Sequence, residues 1–139
     1  MKENYLSKRV TRLNDLLIRS QDKWSEKLGI SSHDYNLFLT IQENPGCTQL
    51  FLAKKRQVER SLLTRLITKY SEMGFIERRQ NDHNKSAYAL YLTESGEKLT
   101  AEIRDRISTL NEQLATMYTD VEYAAFKQFL DTAIKALEE

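Results

Sequence analysis

Apolar residues return at helical spacing along the first part of the chain, with Tyr5, Val10, Leu13, Leu17 and Trp24 on one stripe. The pattern predicts a helix from Asn4 to Leu28, stopped by a left-handed residue at Gly29. In "SSHD", Ser31 stands three residues before Asp34, the spacing of a capping box. The helix it would open turns Tyr35, Leu37, Phe38 and Ile41 inward before "ENPG" ends it. Two shorter helices follow, "TQLFLAKKRQ" and "ERSLLTRLITKYSEM". In the second, Leu63, Leu66, Ile67 and Tyr70 obey the i, i+3, i+4, i+7 rule of one buried face, which leaves Arg60, Ser61, Thr64, Arg65, Thr68 and Lys69 on the other side. Past Gly74 the period drops to two. "FIERR" and "AYALYLT" read as strands joined by the polar loop "QNDHNKS", with Ala87, Ala89 and Tyr91 on one face and Tyr88, Leu90 and Leu92 on the other.

Beyond Thr93 the helical period resumes. Leu99, Ile103, Ile107, Leu110, Leu114 and Met117 recur at steps of three and four, close to a heptad seam. Thr119 and Glu122 form a second capping box, and Phe126, Leu130, Ile134 and Leu137 stripe a last helix. One proline and four glycines are too few for a turn-rich all-β chain. The predicted fold is mainly α with a small β-hairpin wing, a single domain over residues 1–139. Within it, residues 30–93 form a winged helix-turn-helix lobe, and residues 1–29 and 94–139 are dimerisation helices. These terminal helices carry more apolar surface than so small a lobe can cover, and an intertwined homodimer is the expected solution.

Composition narrows the function. The 139 residues, 40% of them hydrophobic, suit one domain with a modest core. No apolar run approaches the roughly 20 residues that cross a bilayer, and the charged N-terminus lacks the apolar centre of a signal peptide. A cytoplasmic protein without membrane attachment is expected. Cys47 is the single cysteine and His33 and His83 the only histidines, so there is no CxxC or HExxH motif. No metal site, no cofactor and no disulfide framework is predicted. Serine, histidine and acids form no nucleophile or acid–base motif, so the chain is not expected to be an enzyme and has no candidate catalytic residues.

The formal net charge of +1 conceals an asymmetry. From Thr48 to Thr93 nine basic residues face four acids, a net of +5; after Thr93 five basic residues face ten acids, a net of −5. A basic middle beside an acidic tail points to a polyanionic partner for the middle alone. The helix that exposes Arg60, Ser61, Thr64, Arg65 and Lys69 offers donors for guanine edges and phosphates and is narrow enough for a major groove. Arg78, Arg79 and Lys85 on the hairpin would flank it as contacts to the DNA backbone. Taken alone these residues also read as a solvated helix face and a charged turn; the ordered set of paired helices, glycine, hairpin and local positive charge favours double-stranded DNA.

The stretch "TQLFLAKKRQVERSLLTRLITKYSEMGFIERRQNDHNKSAYALYLTESGEKL" resembles the central region of MarR-family regulators. The likeness rests on the Leu52–Ala53 pair, on Arg65 in the recognition helix, on Gly74 before the first wing strand, on Arg78 and Arg79, and on Leu92, Thr93 and Gly96. It implies a bacterial, homodimeric regulator of palindromic DNA, usually a repressor, released by a small aromatic effector or by cysteine oxidation. Two positions depart from the family pattern. Gln57 stands where the turn between the paired helices commonly has a small residue. Asn84, Lys85 and Ser86 stand where members carry Asp-x-Arg, so the bracing pair and the groove-entering arginine are absent, leaving Lys85 and His83 to approach phosphates. The family's ligand cleft would fall near Trp24, His33, Tyr35 and Phe38, aromatics that at helical spacing read more often as core than as a ligand site. Cys47 departs from the position of redox-sensing cysteines and reads as a small packed hydrophobe. Two other functions fit the same sequence: a winged-helix protein-interaction module with little DNA affinity, and a redox-switched regulator acting through Cys47.

Overall fold

The computed structural model describes residues 5–56, 58–80 and 87–138. In chain order these form α1 (Leu6–Arg19), α2 (Asp22–Lys27), a 3-10 turn (Ser32–Asp34), α3 (Tyr35–Glu43), α4 (Gln49–Arg56), α5 (Arg60–Glu72), β1 (Ile76–Gln80), β2 (Tyr88–Leu92), α6 (Glu94–Ala115) and α7 (Asp120–Leu137). Two compact units can be separated, residues 1–100 and 101–139, with the division falling inside α6. No helix among the described residues is long and apolar enough to cross a membrane.

The single N-terminal helix expected from Asn4 to Leu28 is two helices. The Gln21 N–H closes a tight turn onto the Ile18 carbonyl at 3.0 Å, and the Ser20 hydroxyl donates to the Leu17 carbonyl at 2.6 Å. The Ser25 hydroxyl then donates to the Gln21 carbonyl at 2.9 Å and is joined to the Tyr35 hydroxyl at 2.7 Å. The apolar stripe runs on through this break, and a periodicity argument cannot see the polar ties that set it.

The capping box expected at Ser31 and Asp34 is also replaced. The Ser31 hydroxyl accepts from the His33 N–H at 3.3 Å, the Asp34 N–H donates to the Ser31 carbonyl at 2.9 Å, and the Asp34 carboxylate accepts from the Tyr70 hydroxyl of α5. With its carboxylate recruited by a residue far along the chain, Asp34 ends a 3-10 turn, and α3 begins one residue later.

Leu37, Phe38 and Ile41 of α3, Leu52 of α4, Leu63 and Ile67 of α5 and Leu90 of β2 have no exposed surface. The Phe38 ring meets Tyr70 edge-on at 4.9 Å and Phe75 at 6.1 Å, which locks α3 to α5. Strands β1 and β2 pair antiparallel with Ile76 opposite Leu92 and Gln80 opposite Tyr88. Cys47 extends this ribbon: its carbonyl accepts from Leu90 N–H at 2.9 Å, and the Leu90 carbonyl accepts from Gly46 N–H at 2.8 Å.

Two glycines fix where the hairpin meets its neighbours. Gly74 takes φ of +83°, which lets α5 turn into β1. A Cβ on Gly96 would stand 2.1 Å from the Phe75 carbonyl oxygen, so only glycine allows the first turn of α6 so close to the chain entering β1. Thr93 holds the same junction, donating to the Gly74 carbonyl at 2.5 Å and accepting from Gly96 N–H at 3.0 Å. These bonds give a physical reason for the Leu92, Thr93 and Gly96 pattern noted in the sequence.

The seam predicted from Leu99 to Met117 is graded. Leu99 and Ile103 are buried, Ile107, Leu110 and Leu114 half-buried, and Met117 is 70% exposed. The capping box at Thr119 and Glu122 forms in full: the Thr119 hydroxyl accepts from Glu122 N–H and the Glu122 carboxylate accepts from Thr119 N–H, both at 3.1 Å. Those bonds hold the Glu122 carboxyl below its ordinary range. Neither α1 nor α7 has a buried residue.

Candidate nucleic-acid interface

Helix α5 is fastened along one side and free along the other. Leu63, Ile67 and Tyr70 are buried and Leu66 half-buried, while Arg60, Ser61, Thr64, Arg65 and Lys69 are exposed, with Thr68 half-buried between them. The arrangement follows from the 3.6-residue period: a stripe at i, i+4, i+7 leaves the intervening residues to solvent. Thr64 also braces the pair of helices. Its hydroxyl donates to the Arg60 carbonyl at 2.9 Å and accepts from Gln49 Nε2 of α4 at 3.1 Å. Sequence reasoning missed Gln49, because a cross-helix hydrogen bond leaves no periodic trace. Lys69 lies with its Nζ 5.0 Å from the Tyr70 ring centre, at the far end of the exposed face.

The hairpin separates the two arginines that the sequence treated as a pair. Successive strand residues point to opposite faces, so Arg78 shares a face with Ile76 and Leu90, and Arg79 shares the other with Glu77, Ala89 and Tyr91. Arg79 is engaged there: Nε and Nη2 each donate to Glu77 at 3.2 Å, and the guanidinium stacks 4.1 Å from the Tyr91 ring centre. This pairing lowers the Glu77 carboxyl and raises the Arg79 guanidinium. Arg78 is exposed and has no ion pair among the described residues. The spacing Glu77-x-Arg79 on one strand face was the available signal for this pinning. Lys85, with His83, Asn84 and Ser86, lies outside the described residues.

Of the four candidate effector residues, the structure brings two together: Trp24 meets Tyr35 edge-on at 5.9 Å. Trp24 is half-buried and Tyr35 buried, with its hydroxyl tied to Ser25. Phe38 is fully buried in the stack with Tyr70 and Phe75, and the His33 side chain is exposed at the 3-10 turn. Cys47 is half-buried in the extension of the hairpin, and burial pushes its thiol up, away from the thiolate that oxidants attack.

Comparison with known proteins places this geometry. Residues 30–86 match the family model of the MarR family. The HTH-type transcriptional regulator BilQ of Clostridioides difficile is 26% identical over 89 residues, which cover 64% of this chain and 60% of BilQ. The uncharacterized HTH-type transcriptional regulator YybA of Bacillus subtilis is 29% identical over 111 residues, 80% of this chain and 74% of YybA. A solved structure of a cysteine-to-serine mutant of MarR from E. coli, complexed with operator DNA, shares the fold at TM-score 0.80 and 21% identity, covering 92% of each chain. Family match, relatives and fold point the same way: residues 30–86 are similar to the MarR family, and the chain shares the fold of MarR.

Proposed function

We propose that the chain is a cytoplasmic, homodimeric repressor that binds palindromic double-stranded DNA. The observation that carries this is α5: a helix locked along one side into a core, lifting Arg60, Ser61, Arg65 and Lys69 into solvent along the other. Such a face fits a major groove, where arginine meets guanine edges and phosphates. Arg78 adds a contact to the DNA backbone from the hairpin, and Lys85 is expected to add a second. The E. coli MarR variant that shares the fold was solved with operator DNA, which supports the same use here. Residues 30–93 are the DNA-binding lobe in this reading, and residues 1–29 and 94–139 pair the two copies. A small aromatic effector near Trp24 and Tyr35 would release the complex by altering the spacing of the two recognition helices.

The test is binding selection from random duplexes, followed by affinity measurement on the recovered site. A palindrome with half-site centres about 10 base pairs apart is expected. Arg65→Ala should cost about 1–3 kcal/mol and relax preference at particular base pairs. Recovery of no motif, together with retardation that ignores sequence, would leave only non-specific affinity and end the repressor reading.

A further inference from the structure

The margin of the exposed face of α5 holds one large apolar residue that the polar contacts do not explain. Leu62 stands about 100° round the helix from Leu63 but four residues before the half-buried Leu66, so it lies at the margin of the buried stripe, and it keeps 40% of its surface in solvent. Ser61 precedes it, Arg65 follows three residues later and Lys69 seven residues later, and all three are exposed. A lone exposed leucine is ordinary on a protein surface. This one sits in the first turn of α5, which begins at Arg60, and the N-terminal residues of a recognition helix are those that meet base edges.

The side chains around it leave a gap in what the helix can read. Arg60 and Arg65 suit guanine N7 and O6 or phosphate, and Ser61 serves as donor or acceptor to several bases. Thr64 is about 160° round the helix from Leu62 and spends its hydroxyl on the Arg60 carbonyl and on Gln49. None of these polar groups recognises what distinguishes thymine in the major groove, its C5 methyl, which takes apolar contact. We infer that Leu62 is a specificity residue whose isobutyl group packs on the C5 methyl of one thymine in each half-site. The inference rests on the DNA-binding reading above. Cations on the same face would carry Leu62 against the duplex, and burial of two apolar groups together would make up for its exposure in the free protein.

Replacing thymine by deoxyuridine removes this methyl and nothing else. On the selected site, each thymine is replaced in turn and affinity is measured for the full-length protein and for Leu62→Ala, whose folding is checked by circular dichroism. The expected result is a loss of about fourfold at one thymine per half-site, the transfer of a single methyl group. Leu62→Ala should bind the unmodified site more weakly by a similar factor or more, and should be indifferent to deoxyuridine at that position. The inference is overturned if no replacement changes affinity, or if Leu62→Ala keeps the wild-type sensitivity, since another side chain then reads the methyl. It is also overturned if Leu62→Ala alters the solution mass, which would assign Leu62 to an assembly contact. Failure of the wild-type protein to retard any duplex is a different outcome, and it removes the DNA-binding reading itself.

Discussion

Tyr70 shows how one residue ties α5 to the rest of its lobe. It lies on the buried face of α5, donates its hydroxyl to the Asp34 carboxylate and accepts from Ser31 N–H at 3.3 Å. Burial and the neighbouring carboxylate both push the phenol up from its ordinary value of 10. Tyr70→Phe would leave a buried carboxylate without its donor, at a cost of about 1–3 kcal/mol, measurable as a lower urea midpoint. The pH dependence has a definite sign. Below pH 10 the phenol is neutral in folded and unfolded chains alike, and its contribution to stability is whole. As pH rises above 10 the unfolded chain ionises first, so stability is lost progressively toward the raised folded value. The melting temperature of the wild type should therefore fall more steeply above pH 10 than that of Tyr70→Phe. Parallel curves for the two proteins would mean that Tyr70 titrates normally and that its bond to Asp34 is not maintained in solution.

At the scale of elements, the hairpin presents two unlike faces, and only one of its described arginines is uncommitted. Because Glu77 holds Arg79 in two hydrogen bonds, the pair adds little net charge toward a polyanion. Glu77→Gln should free that guanidinium and remove a carboxylate from beside the phosphates, so DNA affinity should rise and the dependence of log affinity on log salt should steepen by up to about one unit. An unchanged slope with wild-type affinity would place this face away from DNA. The order of paired helices, glycine, hairpin and long helices was legible in the sequence because each rests on a local signal: the Leu63, Ile67, Tyr70 stripe, the left-handed Gly74, the period-two strands and the Thr119–Glu122 box. The features that escaped it rest on contacts between distant residues. Tyr70 captures Asp34 across the fold and turns a capping box into a 3-10 turn, Ser25 and Tyr35 break the first helix, and Cys47 joins the hairpin through Leu90. The candidate interface was legible in its charges; the splitting of Arg78 from Arg79 required the strand register.

At the scale of the whole molecule, the proposed homodimer gives the terminal helices a partner. A 14-residue α1 and an 18-residue α7 have no fully buried residue, although Val10, Leu13 and Leu16 line the first and Phe126, Phe129 and Ile134 the second. Leaving this much apolar surface in water forgoes about 25 cal/mol for every Å² that could be covered. A dimer built on these stripes would be continuous with the core, so unfolding and dissociation should be one event and the melting temperature should rise with protein concentration. Phe129 separates the two cases, since half of its surface is exposed on a single chain. In a monomer Phe129→Asp would be a surface change of about 0.5 kcal/mol or less. In the proposed dimer it would remove an aromatic anchor and place a charge in the apolar seam, and the protein should dissociate and lose helicity together at micromolar concentration. Light scattering and circular dichroism on one dilution series read both. A wild-type mass of one chain, with a melting temperature independent of concentration and of Phe129→Asp, would show that α1 and α7 are covered by something other than a second copy.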